Sequence, residues 1–194
     1  MKPKIILTTI SVAAIICLSV LIYSVLTRIN ISTPKIIKQA VSTTPGYYKV
    51  TSIADGDTFS VDMDGREERV RMIGIDTPET HKPNSPVECY GENASNFTHN
   101  LLDGKIVRLE ADQTNQNRDR YGRLLRYTYL PDGSLVNAEV VKQGYGFAYV
   151  SFPFTKMEEF KQYQKQASAN NIGLWAPGIC QIQDQNGRYK TNAL

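Results

Sequence analysis

"RMIGIDTPET", residues 71–80, begins as a strand and ends as a cluster of charge. Met72, Ile73 and Ile75 are apolar around Gly74, and Asp76, Thr77, Pro78 and Glu79 follow without a break. A strand does not need two carboxylates around a proline, or Arg71 at its other end, in order to stop. Pro78 restricts Thr77 to extended backbone angles, which fixes the direction of the Thr77 carbonyl.

Upstream, "DGDT" (55–58) is a turn signal that feeds "TFSVDM" (58–63), where Phe59, Val61 and Met63 alternate with polar residues. "DG" at 64–65 is a hairpin turn, and "ERVRMIGI" (68–75) is the return strand. In an antiparallel pair the start of one strand lies beside the end of the other. Asp57 and Asp76 are therefore expected to be neighbours. Juxtaposed carboxylates repel unless a cation or a proton intervenes. Oxygen ligands with no suitable His or Cys nearby suit Ca²⁺ or Mg²⁺ rather than zinc. The Thr77 carbonyl would add a ligand, and Glu79, just past it, would orient a water. Strand alternation puts Arg71 and Asp76 on opposite faces. Either a bulge near Gly74 realigns them or Arg71 reaches around.

"YYKVTSI" (47–53), "KIVRLEA" (105–111) and "GRLLRYTYL" (122–130) complete a set of five strands. "GENASNFTHNLLDG" (91–104) reads as a helix with Ala94, Phe97 and Leu101 on one face. Asn137 is expected to cap a short helix, "AEVVKQ", that stops at Gly144. Thr155 and Glu158 form a T-x-x-E capping box ahead of a third helix, whose stripe of Met157, Phe160, Tyr163 and Ala167 is core packing. From Gln181 the chain is polar and expected to be loose. Five strands with a helix between the third and fourth fit an α+β fold built on an OB-type Greek-key β-barrel with three helices.

The ends of the chain set its context. Residues 5–26 contain no charge over 22 positions after a short basic segment, 1–4. As a helix they would cross the roughly 30 Å hydrocarbon core. A transmembrane signal-anchor is expected, followed by a flexible tether over 27–45, the domain over 46–180 and a polar tail over 181–194. The expected placement is on the membrane with the domain outside the cytoplasm; secretion after signal cleavage is the alternative. Five of the 22 Lys and Arg, and none of the 19 Asp and Glu, fall in residues 1–45. The rest of the chain is thus slightly acidic, which excludes a domain held on nucleic acid by overall positive charge. Cys89 and Cys180 are an even pair; in an exported protein that suggests a disulfide, with two buried free thiols as the other reading.

The second basic element is "RDRYGRLLR" (118–126), in which Arg123 opens the fifth strand. A guanidinium forks onto phosphate oxygens as an ammonium cannot. Taken singly each piece is ordinary: D-G-D-T is usually a turn, four arginines in nine residues usually a solvated face, His81 and His99 surface residues. The ordered set of DGDT, then R-x4-DTPE, then YGR is not ordinary.

That set resembles the staphylococcal nuclease (thermonuclease) family over about residues 46–176. The resemblance is carried by "DGDTFSV", "RVRMIGIDTPET", "ECYGENAS", "DRYGRLL", "LVNAEVVKQGYGFAYV" and "NIGLW". It implies an OB barrel with three helices. It implies Ca²⁺ on the carboxylates of Asp57 and Asp76 and the carbonyl of Thr77, with Asp55 close by. Glu79 would be the general base, Arg71 and Arg123 the contacts to the scissile phosphate, and Tyr121 and Tyr149 neighbours of the nucleotide. The family's second tyrosine, two residues beyond Tyr149, is Ser151 here, so grip or sequence preference would differ. The implied activity is Ca²⁺-dependent endonucleolytic hydrolysis of DNA and RNA with low sequence specificity, by a monomer. A non-catalytic OB module for single strands is the rival, but it has no need of the Asp-Asp-Glu set. An anchored adhesion or envelope domain explains none of the motif residues.

Overall fold

The structure, a computed structural model, describes residues 46–80 and 86–194. The expected membrane segment, the tether and His81 lie outside the described residues. Among the described residues no helix is long and apolar enough to cross a membrane.

Three strands form an antiparallel meander: β1 (Tyr47–Ile53), β2 (Thr58–Met63) and β3 (Arg66–Met72). The β2–β3 turn places Asp64 at φ 55° and Gly65 at φ 82°. Left-handed angles at both central residues match the right-handed twist of the flanking strands, and Asp-Gly is the pair that tolerates them. The register sets Thr58 opposite Arg71, so the beginning of β2 faces the end of β3. Phe59 and Val61 are fully buried, and Thr58 and Ser60, on the other face, are buried as well.

The return strand was expected to run to Ile75, but it ends at Met72. Gly74 takes φ +76°, and a Cβ there would lie 2.5 Å from the ring of Phe154. The chain bends at this residue, and β4 (Ile75–Asp76) pairs with Phe147–Ala148 instead of continuing along β2. Then follow α1 (Gly91–Leu102), β5 (Ile106–Glu110), β6 (Leu124–Tyr129), α2 (Val136–Lys142), β7 (Phe147–Ala148) and α3 (Met157–Ala169). β6 lies parallel to β3 and antiparallel to β5, and β5 returns to β1. The order β1-β2-β3-β6-β5 is therefore a closed five-stranded barrel with three helices, as the element order predicts. Its core is Val50, Phe59, Val61, Val70, Met72, Val107, Leu124 and Tyr127, closed by Leu102 of α1, Val136 and Val140 of α2 and Phe160 of α3.

Two expected caps do other work. Asn137 lies inside α2, and Leu135 holds the cap position. The fully buried Asn137 amide instead accepts from the Thr128 N–H (2.9 Å) and donates to the carbonyls of Ile73 (2.9 Å) and Arg126 (3.2 Å). It stitches α2 to β6 and to the bend before Gly74. Thr155 makes no capping box with Glu158: α3 is capped at Lys156 without a side-chain bond, and the Thr155 hydroxyl donates to Asp112. A buried carboxylate takes that hydroxyl in preference to a solvated helix end.

The tail is not loose. β8 (Ile182–Gln185) and β9 (Arg188–Thr191) form a hairpin. Cys89 and Cys180 are joined in a disulfide that spans 91 residues of sequence. The Cys89 N–H donates to the Asn192 carbonyl (2.8 Å) and the Thr191 hydroxyl to the Cys89 carbonyl (2.9 Å). Polar composition alone did not reveal a hairpin tied at both ends.

Candidate active site

The loop between β1 and β2 carries Asp55 and Asp57. The Asp57 N–H donates to Asp55 Oδ1 (3.0 Å), and the Gly56 carbonyl accepts the Thr98 hydroxyl of α1 (2.6 Å). Asp57 is only 3% exposed, so its charge has to be met from within. Its Oδ2 accepts the N–H (3.1 Å) and the hydroxyl (3.2 Å) of Thr77, and its Oδ1 accepts the Thr58 hydroxyl (2.9 Å). Arg71 forms an ion pair with the same carboxylate. The other Nη of Arg71 donates to Asp76 Oδ1 (2.9 Å) and to the Ile75 carbonyl (3.0 Å). Asp57 and Asp76 are thus brought together, with Arg71 between them. The bend at Gly74 resets the alternation that would otherwise separate Arg71 from Asp76.

Arg123 is fixed just before β6. Its Nε donates to Asp119 Oδ2 (2.7 Å), while Asp119 Oδ1 accepts the N–H groups of Tyr121 (2.9 Å) and Arg123 (3.0 Å). Burial pushes the Asp119 carboxyl up, but its hydrogen bonds with Arg123 outweigh this and hold it below the usual carboxylate range. Arg123 Nη1 also donates to the Thr58 hydroxyl (3.3 Å), which itself donates to Asp57. Thr58 therefore links the second arginine to the carboxylate cluster. Sequence reading missed both supports, although Asp119 stands four residues ahead of Arg123 and Thr58 is the last letter of DGDT.

A cleft of about 630 Å³ collects Arg71, Asp76, Tyr121, Arg123, Tyr149 and Arg188 on its walls. Tyr121 is 67% exposed, with the guanidinium groups of Arg120 and Arg123 at 4.7 and 5.4 Å from its ring. Tyr149 is pinned through its N–H to the Gly74 carbonyl (2.8 Å). Ser151 brings no ring, but Phe152, 62% exposed, also lines the cleft and lies 6.0 Å from Tyr149. Asp57 and Thr77 do not line the cleft; Asp57 is tied to it through Arg71, and Thr77 through Asp57. Glu79 is also off its wall. Its backbone pairs twice with Glu88, its N–H to Oε2 (3.1 Å) and its carbonyl to the N–H (2.9 Å), and its own carboxylate accepts the Thr80 N–H (3.2 Å). Arg188, from the C-terminal hairpin, was not anticipated; no motif in its surroundings announces it.

Asp55, Asp57, Asp76 and the Thr77 carbonyl make an oxygen-only donor set. Burial pushes the Asp55 carboxyl up, against the pull of Arg71 and the Thr58 hydrogen bonds. Oxygen donors of this kind, with no His or Cys among them, fit a hard divalent cation. Among the described residues no group of three His, Cys, Asp or Glu side chains is already converged on one point as a metal cage. Arg71 lies between two of the donors and supplies the positive charge there.

The model of a family described as "Staphylococcal nuclease homologue" matches residues 69–177, more than half of the chain. The chain belongs to the staphylococcal nuclease family. This staphylococcal nuclease homologue is 45% identical to the thermonuclease of Staphylococcus hyicus over 130 residues, 66% of this chain and 75% of that protein. It is 44% identical to the thermonuclease of Staphylococcus intermedius over 129 residues, with the same coverage. With the SPbeta prophage-derived endonuclease YokF of Bacillus subtilis (strain 168) it shares 42% identity over 145 residues, 72% of this chain and 48% of that protein. Within the nuclease homologue, the DGDT loop precedes the match and the β8–β9 hairpin follows it.

Proposed function

We propose that the protein is a Ca²⁺-dependent endonuclease that hydrolyses the phosphodiester bonds of DNA and RNA with little regard for sequence. Its family makes it a nuclease, a hydrolase with nucleic acid as substrate. The observation that carries the finer reading is the linked set Asp76–Arg71–Asp57–Thr58–Arg123, which puts two guanidinium groups on one cleft beside an all-oxygen donor set.

Asp57, Asp76 and the Thr77 carbonyl would hold the cation, with Asp55 beside them. Bound there, Ca²⁺ would supply positive charge to the phosphate as negative charge builds on its oxygens. Asp57 and Asp76 hold Arg71 between them on the wall of the cleft. Arg71 and Arg123 then receive the non-bridging oxygens, a preorganised electrostatic stabilisation in a site already built. Glu79 takes the proton from the attacking water. Its doubly paired backbone fixes the origin of that side chain. Contacts to phosphate rather than to base edges give low sequence preference.

The membrane placement of this reading rests on residues 5–26. Zymography on DNA with separated membrane and medium fractions, in Ca²⁺, in Mg²⁺ and in EDTA, tests the whole. The expected result is membrane-bound cleavage in Ca²⁺, little in Mg²⁺ and none in EDTA. Mg²⁺ demands a near-ideal octahedron that two carboxylates and a carbonyl do not impose. Full cleavage in EDTA removes the metal from the mechanism.

A further inference from the structure

The β8–β9 hairpin begins after residue 177, where the family match ends, and no step of the chemistry above uses it. Its turn nevertheless reaches the cleft. Arg188 lines the cleft wall, and its guanidinium lies 5.9 Å from the centre of the Tyr149 ring. It is exposed and has no carboxylate partner among the described residues. The neighbouring residue, Gly187, lines a second hollow of about 600 Å³ together with Val150, Lys161, Lys165, Trp175 and Tyr189. Tyr149 and Arg188 thus face one hollow while Val150 and Gly187 face the other. The two hollows share a sill made of two adjacent residue pairs.

The second hollow combines cations with rings. Trp175 and Tyr189 meet edge to face, their ring centres 5.8 Å apart. Lys161 is paired with Glu158 (2.7 Å), but Lys165, exposed on the same helix, has no carboxylate partner among the described residues. Aromatic surface with unpaired positive charge is what holds a single strand, by stacking and by phosphate contact. The hairpin that forms the sill is held at both ends, by the disulfide at Cys180 and by the Thr191 and Asn192 bonds to Cys89. It is a fixed wall ready for a ligand.

We propose that the second hollow extends the substrate site: a single strand of nucleic acid lying in the cleft crosses the Tyr149–Arg188 sill, gives a phosphate to Arg188 and continues over Lys165 and Trp175. The proposal rests on the reading of the cleft as the cleavage site. Arg188 and Lys165 are positioning residues for long substrates, and the length of strand engaged exceeds what the reacting phosphate needs.

The chain's single tryptophan, Trp175, reports on the second hollow directly. Wild-type protein is titrated with a phosphorothioate oligothymidylate of about twelve nucleotides, a length within the range one OB fold covers, and separately with a thymidine dinucleotide. The long strand is expected to change Trp175 emission at saturation and the dinucleotide to leave it unchanged. In Arg188→Ala and in Lys165→Ala, the slope of log affinity against log salt for the long strand should shrink by about 0.7 for each phosphate that is no longer neutralised. The ratio of kcat/KM for long over dinucleotide substrate should fall in both variants. Constant Trp175 emission with the long strand overturns the proposal, as do unaltered slopes in both variants. If wild type cleaves DNA while either holds, the nuclease reading stands and the extension alone is lost. A wild type that cleaves nothing overturns both.

Discussion

The Thr98 hydroxyl donates to the Gly56 carbonyl at 2.6 Å, tying the middle of α1 to the loop that presents Asp55 and Asp57. Thr98 is fully buried, so the carbonyl has no water to turn to if the hydroxyl is removed. Thr98→Val keeps the shape and deletes the donor. It should destabilise the protein by about 1–3 kcal/mol, read as a lower urea midpoint, and lower kcat as the Asp57 loop loosens. An unchanged midpoint means the loop is held by something else.

Glu79→Gln should cut turnover about 10²–10⁴-fold while Kd for a nucleotide inhibitor stays near wild type. The amide keeps the size of the side chain and an acceptor for the Thr80 N–H, but it cannot take a proton. Turnover above half of wild type would assign the base elsewhere.

Arg123→Lys keeps the charge and loses the fork that reaches Asp119 with Nε and Thr58 with Nη1. Loss of one preorganised donor at a developing oxyanion typically costs about 10²–10³-fold in kcat, and a loss of that order is expected here with KM little changed. Steady-state kinetics on denatured DNA decide it.

Asp112 gives the fold an acid limit. Burial pushes its carboxyl up, but donors from Thr114, Thr155 and Tyr127 outweigh burial and hold it well below the usual carboxylate range. The unfolded chain, with an ordinary value near 3.9, then takes up the proton first as pH falls. The stability contributed is complete above roughly pH 5 and is lost progressively below about pH 4. Asp112→Asn should be less stable than wild type near neutrality, and the gap in urea midpoints should narrow as pH falls toward about 3. A gap independent of pH would mean that the carboxylate is not the source.

Removing the disulfide by the double substitution Cys89→Ser and Cys180→Ser releases a loop of 91 residues. The chain-entropy estimate puts the loss at up to roughly 4–5 kcal/mol. Thermal unfolding of the oxidised wild type, the reduced wild type and the double variant should order them in that sense, with the last two alike.

The sequence announced the barrel where local rules and tertiary demands agree. Alternation in 58–63, the Asp-Gly turn and the pairing of Asp57 with the end of the return strand all follow from short-range geometry. It was silent where a distant partner decides. Asn137 looks like a cap because Asn favours helix starts, but three backbone groups from β6 and the Gly74 bend claim its amide. Thr155 looks like half of a capping box, and Asp112, 43 positions earlier, takes it. Gly74 could be suspected of a bulge, yet the ring of Phe154 that forbids a side chain there lies far along the chain. In the candidate site the motif letters were legible. The relay through Thr58, the brace from Asp119 and the reach of Arg188 depend on which loops meet, and no local pattern encodes that.

The parallel pairing of β3 with β6 sets Arg71 beside Leu125. That pairing joins segments more than fifty residues apart, and pairings of such high contact order form late. The β2–β3 hairpin, with its own tight turn, needs only residues that are close in sequence. Arg71 and Arg123 therefore sit on segments that meet only when the barrel shuts. An unfolded chain carries every residue of the site but not the site itself. Two guanidinium groups on one cleft are thus a property of the closed barrel and of neither segment alone.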